Sequence, residues 1–229
     1  MLLYHLSVVL FNSYVIWYDQ QYVEIPLPDG IKNMSFKARG IFLTFWCFAL
    51  QTIYFGTAVL NDIIGTNATA PKNPPLIRRV KDIVFSSAFT LALYVFATFW
   101  GLYLIDEDLI LPAHIQEVLP NWINHGMHTT IVPFIILELL LTNRNYPTRK
   151  VGLSVTLLIN FTYVFWIHYL YFTQGTWVYP FLDLMNWSTR ILFCCTSSII
   201  GVLFYILGEN IHYIVTPKKK LSVNGSKRD

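Results

Sequence analysis

Apolar residues along this chain come in long unbroken runs, not in the alternating or 3.6-residue patterns of half-buried elements. Six such runs fall at about Leu2–Tyr18, Gly40–Leu60, Ile83–Ile105, Trp122–Leu141, Val151–Thr173 and Ile191–Leu207. Each is close to the roughly 20 residues that an α-helix needs to cross about 30 Å of hydrocarbon. They are apolar all round, whereas the strands of a membrane barrel would alternate in polarity over segments of about ten residues. Between the runs, IPLPDG, TNATAPKNPP and NRNYPTRK supply the proline, glycine and asparagine that stop helices. The pattern predicts an all-α fold: a single six-span transmembrane helix bundle over residues 1–215, followed by a basic tail, 216–229. No internal repeat and no inverted pair of broken helices stands out.

Composition agrees with this reading. Of the 229 residues, 55% are hydrophobic and only 13% are charged, far from the roughly 25% charged residues of a soluble domain. The net charge of +3 is mild, and the lysines and arginines sit at span ends, so nothing points to a nucleic-acid partner. Their distribution is lopsided. Lys72, Arg78, Arg79, Lys81, Arg144, Arg149, Lys150, Lys218, Lys219, Lys220, Lys227 and Arg228 make twelve on one side, against Lys32, Lys37, Arg39 and Arg190 on the other. The loop DEDLILPAHIQEVLP has acids and neither lysine nor arginine. The positive-inside rule then places both termini in the cytosol.

The N-terminal stretch MLLYHLSVVLFNSYVIWY has no basic lead and no small-residue cleavage site, so it is expected to be a first span and not a signal peptide. Glycan acceptor sequons at Asn33 and Asn186 are expected on the lumenal side, and those at Asn67 and Asn224 on the cytosolic side. Cys47, Cys194 and Cys195 all fall inside predicted spans, which supports neither a disulfide framework nor a zinc cluster. The sequence leaves the endoplasmic reticulum and the plasma membrane equally open.

Chemistry concentrates in WINHGMHTTIVPF, where Asn121, Asn124, His125 and His128 stand at i, i+3, i+4 and i+7 on one face of the fourth run. Such a face must meet protein or a water-filled cavity, because imidazoles are costly in lipid. It lines a pocket or merely hydrogen-bonds neighbouring helices. In the second run, Thr44 and Gln51 are seven residues apart on one face. At 1.5 Å per residue, Thr44 and His128 lie roughly 6 and 9 Å below the starts of their spans, so a hydroxyl and an imidazole can meet at one depth. The bland alternative is a threonine bonded only to the carbonyl one turn back.

The segments FLTF (Phe42–Phe45), WINHGMHTTIVPF, NYPTRK (Asn145–Lys150), GTWVYPFL (Gly175–Leu182) and LGE (Leu207–Glu209), in this order, resemble the androgen-induced protein family over nearly the whole chain. The resemblance implies a multi-span hydrolase that cleaves fatty acid esters of hydroxy fatty acids with a threonine nucleophile and a histidine. The family threonine falls on Thr44 and its histidine on His128. The segment Gly65–Pro75 and the first outer loop match no recognisable family pattern.

On that reading His128 takes the proton of Thr44 as the hydroxyl attacks the ester, and an acyl-threonine forms. Asn124 or His125 would donate to the oxyanion, worth roughly 3 kcal/mol each if well aimed. Arg39 or Arg190 would receive the free carboxylate of a branched lipid ester drawn from the bilayer. Glu138, ten residues beyond His128, reads as a polar contact deeper in the bundle. No cofactor and no metal is expected. Two rivals remain: a metal or haem redox protein using His5, His125, His128, His168 and His212, and a non-catalytic membrane regulator whose polar stripe serves helix assembly.

Overall fold

The computed structural model describes residues 1–27, 31, 34, 36–68 and 71–216; Lys32, Asn33, Thr69, Asn224 and the basic tail beyond Thr216 lie outside them. The described residues form seven helices of eight residues or more: α1 (Leu2–Tyr22), α2 (Leu43–Ile64), α3 (Leu76–Ile105), α4 (Asn121–His128), α5 (Ile131–Leu141), α6 (Arg149–Gln174) and α7 (Trp187–Val215). Four of them, α2, α3, α6 and α7, are long and apolar enough to cross a membrane. At 1.5 Å per residue even the shortest of these four spans about 33 Å. The chain is all-helical, and α3 is its centre, packed against α2, α5, α6 and α7, while α1 lies on α2 and α4.

The expected continuous helix over Trp122–Leu141 is corrected: it is broken at Thr129–Thr130 into α4 and α5. Pro133 is the physical reason. It has no N–H to return to the carbonyl of Thr129, and its ring crowds that carbonyl. The chain widens just before it, where the N–H groups of Thr129 and Thr130 both reach the carbonyl of His125, at 2.9 and 3.1 Å. The second of these is an i→i−5 bond, a single-turn π-bulge. Helix α3 also differs, beginning at Leu76 and not Ile83, because Pro75 caps it and the helix runs through the charged turn of Arg78, Lys81 and Asp82.

Helix α1 turns polar residues toward the bundle. Its buried seam is His5, Val8, Asn12, Val15 and Asp19, a three-and-four spacing that turns polar groups inward. Leu3, 82% exposed, faces outward. The three polar groups of this seam lower the hydropathy of α1, a helix of 21 residues.

At the end of the bundle where α1 begins, buried polar groups lock four helices together. The ring of His5 bridges Asp62 on α2 and Glu138 on α5, at 2.8 and 2.9 Å. Glu138 also accepts from the Tyr54 hydroxyl at 2.5 Å and the Thr142 hydroxyl at 2.7 Å. Arg144 donates to the Glu138 carbonyl and the Thr142 hydroxyl, and its guanidinium lies 3.6 Å above the Phe85 ring of α3. Nearby, Gly152 lets the Tyr205 ring of α7 press on the backbone of α6; a Cβ there would overlap the ring.

Removing the Glu138 carboxylate strips His5, Tyr54 and Thr142 of a partner at once, and breaking a buried ionic contact costs about 3–5 kcal/mol. Glu138→Ala is therefore expected to lower the melting temperature of the detergent-purified protein sharply. Leu104→Ala, at a position 82% exposed, is expected to leave it unchanged. Thermal unfolding followed by size-exclusion chromatography checks both.

Candidate functional site

The site begins with a carbonyl. The threonines of long helices here mostly bond back to the carbonyl four residues earlier, as Thr52, Thr57, Thr90, Thr162 and Thr173 do at 2.7–2.8 Å. Thr44 has no such turn behind it: it is the second residue of α2, the backbone at Phe42 is extended, and the Gly40 carbonyl beyond that break is bonded by Trp46 Nε1 at 2.8 Å and Trp166 Nε1 at 3.1 Å. The Thr44 hydroxyl turns instead to α4, where its Oγ1 lies 3.0 Å from His128 Nε2.

His128 is the last residue of α4, just before the bulge. Its Nδ1 sits 3.0 Å from the carbonyl oxygen of Asn124. A carbonyl only accepts, so Nδ1 carries the proton and Nε2 offers its lone pair to the Thr44 hydroxyl. Phe99 of α3 fixes the plane of the ring by stacking at 3.6 Å between centroids and 16°. Only 8% of His128 is exposed. The arrangement is a hydroxyl donor, an imidazole acceptor and a carbonyl that sets the tautomer, the relation that activates an alcohol as a nucleophile.

Thr44 and His128 share the wall of one chamber, between α2, α3, α4, α6 and α7, with Leu43, Phe45, Leu91, Val95 and Ile167 as apolar lining. Farther along the same chamber stand Ser87 and Thr156, whose buried hydroxyls have no partner among the described residues. At the start of α2, the Leu43 N–H donates to the hydroxyls of Tyr163 at 2.9 Å and Tyr179 at 3.0 Å, and Tyr179 also lines the chamber. Burial pushes the Tyr179 phenol up to about 12, so its proton is in place at neutral pH.

The other residues singled out in the sequence lie elsewhere. The side chains of Asn124 and His125 do not wall the chamber. His125 is exposed, stacked on Trp100 and 2.9 Å from the Thr129 hydroxyl, while the Asn124 Oδ1 is buried without a partner among the described residues. Because His125 and His128 turn to different partners, they do not converge on one metal. His5 and His212 lie at the far end. Arg39 reaches the chamber, but its guanidinium holds Asp19 at 2.9 and 3.1 Å and the carbonyls of Val23 and Lys37. Arg190 is not in the chamber wall; it donates to the Leu182 carbonyl at 2.8 Å and lies over Trp177 and Trp187.

Sequence reasoning missed Phe99, Trp46, Trp166, Tyr163 and Tyr179. Tyr179 was within reach, since it sits in GTWVYPFL; the others read as ordinary aromatic lining.

A family model described as FAR-17a/AIG1-like protein matches residues 1–213. The chain belongs to the FAR-17a/AIG1-like family. Among its relatives, the human androgen-induced gene 1 protein is 32% identical, over 87% of this chain and 85% of its own. The rat androgen-dependent TFPI-regulating protein is 33% identical, over 92% and 91%. A UPF0641 membrane protein of Schizosaccharomyces pombe is 21% identical, over 73% and 75%. No solved structure matches. Together with the four membrane-length helices, this makes the FAR-17a/AIG1-like chain a multi-pass integral membrane protein.

The tautomer is open to direct measurement. In ¹⁵N-histidine spectra of the purified protein at neutral pH, His128 is expected to show a protonated Nδ1 and a bare Nε2 whose shift moves in Thr44→Val. A proton found on Nε2 would contradict the donor–acceptor order drawn here.

Proposed function

We propose that this protein is a membrane-embedded threonine hydrolase that cleaves fatty acid esters of hydroxy fatty acids, with Thr44 as nucleophile and His128 as base. The observation that carries the reading is the 3.0 Å contact between Thr44 Oγ1 and His128 Nε2 in the wall of a largely apolar chamber. The resemblance of FLTF and NHGMHT to the family motifs, on these same two residues, supports it.

The reaction runs in two steps. Thr44 Oγ1 attacks the ester carbonyl carbon while its proton passes to Nε2. The carbonyl π electrons move to oxygen, then return to expel the alkoxide of the hydroxy fatty acid, which takes the proton from His128. Water then attacks the acyl-threonine, giving up its proton to the same nitrogen, and the fatty acid leaves as Thr44 is regenerated. A chamber among spans receives both acyl chains from the bilayer without passing them through water.

We further infer that α1 and the broken pair α4–α5 cross the membrane as well. The domain of residues 1–215 then has six spans, with both termini and the basic tail, 216–229, in the cytosol of a cell whose endoplasmic reticulum or plasma membrane holds the protein. The twelve-to-four imbalance of lysine and arginine supports this orientation.

Two experiments test these readings. Purified wild type is expected to hydrolyse a branched fatty ester and to be labelled by a fluorophosphonate, with both lost by about 10³-fold or more in Thr44→Ala and His128→Ala. Activity retained in either folded variant reassigns that residue. For topology, a C-terminal epitope is expected to be reached when the plasma membrane alone is permeabilised, and one inserted near Glu117 only after internal membranes are opened or, at the cell surface, from outside. Glycosylation at Asn67 would reverse the orientation.

A further inference from the structure

The hydrolase reading leaves the oxyanion without a donor, since neither Asn124 nor His125 enters the chamber. Counting protons at the start of α2 supplies one. The Tyr163 oxygen lies 2.9 Å from the Ile41 carbonyl and 2.9 Å from the Tyr179 hydroxyl, and it is the donor in both contacts. A phenol has one proton, so Tyr163 divides it between these two acceptors. Tyr179 therefore accepts twice, from Tyr163 and from the Leu43 N–H. Its own proton has no acceptor among the described residues, although the side chain is half-buried and lines the chamber that holds Thr44.

A second unclaimed donor lies one residue from the first contact. Helix α2 starts at Leu43, so its opening N–H groups have no carbonyl within the helix. Leu43 gives its N–H to the two tyrosines, and Phe45 gives its own to Phe42 at 3.1 Å. The N–H of Thr44 meets no acceptor among the described residues. It also lies at the positive end of the helix dipole, which favours a negative charge.

We propose that the Tyr179 hydroxyl and the Thr44 backbone N–H form the oxyanion-binding site of this enzyme, taking the carbonyl oxygen of a carboxylic ester. The inference rests on the hydrolase reading. As Thr44 Oγ1 bonds to the carbonyl carbon and its proton goes to His128, the π pair settles on the carbonyl oxygen, which then accepts hydrogen bonds from both groups. The two hydrogen bonds received by the Tyr179 oxygen polarise its O–H and strengthen it as a donor. The Tyr163 hydroxyl acts through Tyr179, as a positioning residue.

The test uses the full-length protein in detergent with a branched fatty ester. Tyr179→Phe is expected to lower kcat by about 100-fold with KM changed less than about threefold, the signature of a donor used mainly in the transition state. Tyr163→Phe is expected to lower kcat by less than about tenfold. Placing 3-fluorotyrosine at 179 keeps ring and hydroxyl while acidifying the phenol, so a donor shifts kcat and a packing residue does not. This substitution decides the matter even where Tyr179→Phe fails to fold. If Tyr179→Phe and the fluorinated protein both turn over at the wild-type rate while Thr44→Ala is dead, the donor assignment falls and the hydrolase reading stands. If Thr44→Ala turns over normally, the hydrolase reading fails and takes this site with it.

Discussion

Hydrocarbon outside the bundle offers no hydrogen bonds, so each polar group of a span must find its partner within the protein. Helix α1 turns His5 and Asp19 inward, onto Asp62, Glu138 and Arg39, and leucines outward; the buried Asn12 amide has no partner among the described residues. The same constraint makes each carbonyl oxygen a contested acceptor. At the Gly40 oxygen two indole N–H groups, from α2 and α6, share one acceptor. Thr44, the second residue of α2 after the extended Phe42, has no helical carbonyl one turn behind it, and its hydroxyl pairs with His128.

The two ends of the bundle answer the same constraint differently. Around Glu138 the groups are knitted together: both carboxylate oxygens are taken, and His5, Tyr54, Thr142 and Arg144 all engage it or its carbonyl. Breaking any one of these bonds leaves another buried polar group bare, so that end is costly to open. Both ends keep some buried groups unpaired: at the Glu138 end Arg144 Nε and Nη1 and Asp82 Oδ1 have no partner among the described residues, and around Thr44 the unpaired groups face the chamber. The Thr44 N–H, the Tyr179 proton and, deeper in the chamber, the hydroxyls of Ser87 and Thr156 have no acceptors or donors among the described residues. Unpaired groups facing a cavity are what a site looks like before its polar ligand arrives, and the locked far end holds the helices that frame it.

Much of the fold was legible because long apolar runs are the strongest signal a sequence carries. The cores of α2, α3, α6 and α7 follow from it directly. Their ends do not: α3 runs seven residues earlier than its apolar run, since Arg78 and Lys81 sit comfortably in a helix whose end meets other polar groups. The break at Thr129–Thr130 was signalled by Pro133, but the hydropathy of the run conceals it. In the site, the depth argument correctly brought Thr44 and His128 together. The shared-face argument failed for His125, because the face of Asn121, Asn124, His125 and His128 spans enough arc for one histidine to turn outward onto Trp100 and the other inward onto Phe99. Arg39 reaches the chamber but is also engaged by a partner that sequence cannot supply, as Asp19 lies twenty residues away on another element.

Under the proposed hydrolase reading threonine is an unusual choice of nucleophile, and the local geometry gives it a physical basis. Its branched Cβ limits χ1 in a helix to two main rotamers, one of which is sustained by a bond to the carbonyl one turn earlier. At the second residue of α2, after the extended Phe42, no helical carbonyl stands one turn back, so that rotamer has no such partner, and Oγ1 lies 3.0 Å from His128 Nε2. Serine would keep a wider choice of rotamers at the same position and hold its hydroxyl on the imidazole for less of the time. The methyl group of Thr44 therefore acts as a rotational stop, and its place in the first turn of α2 decides which way it stops.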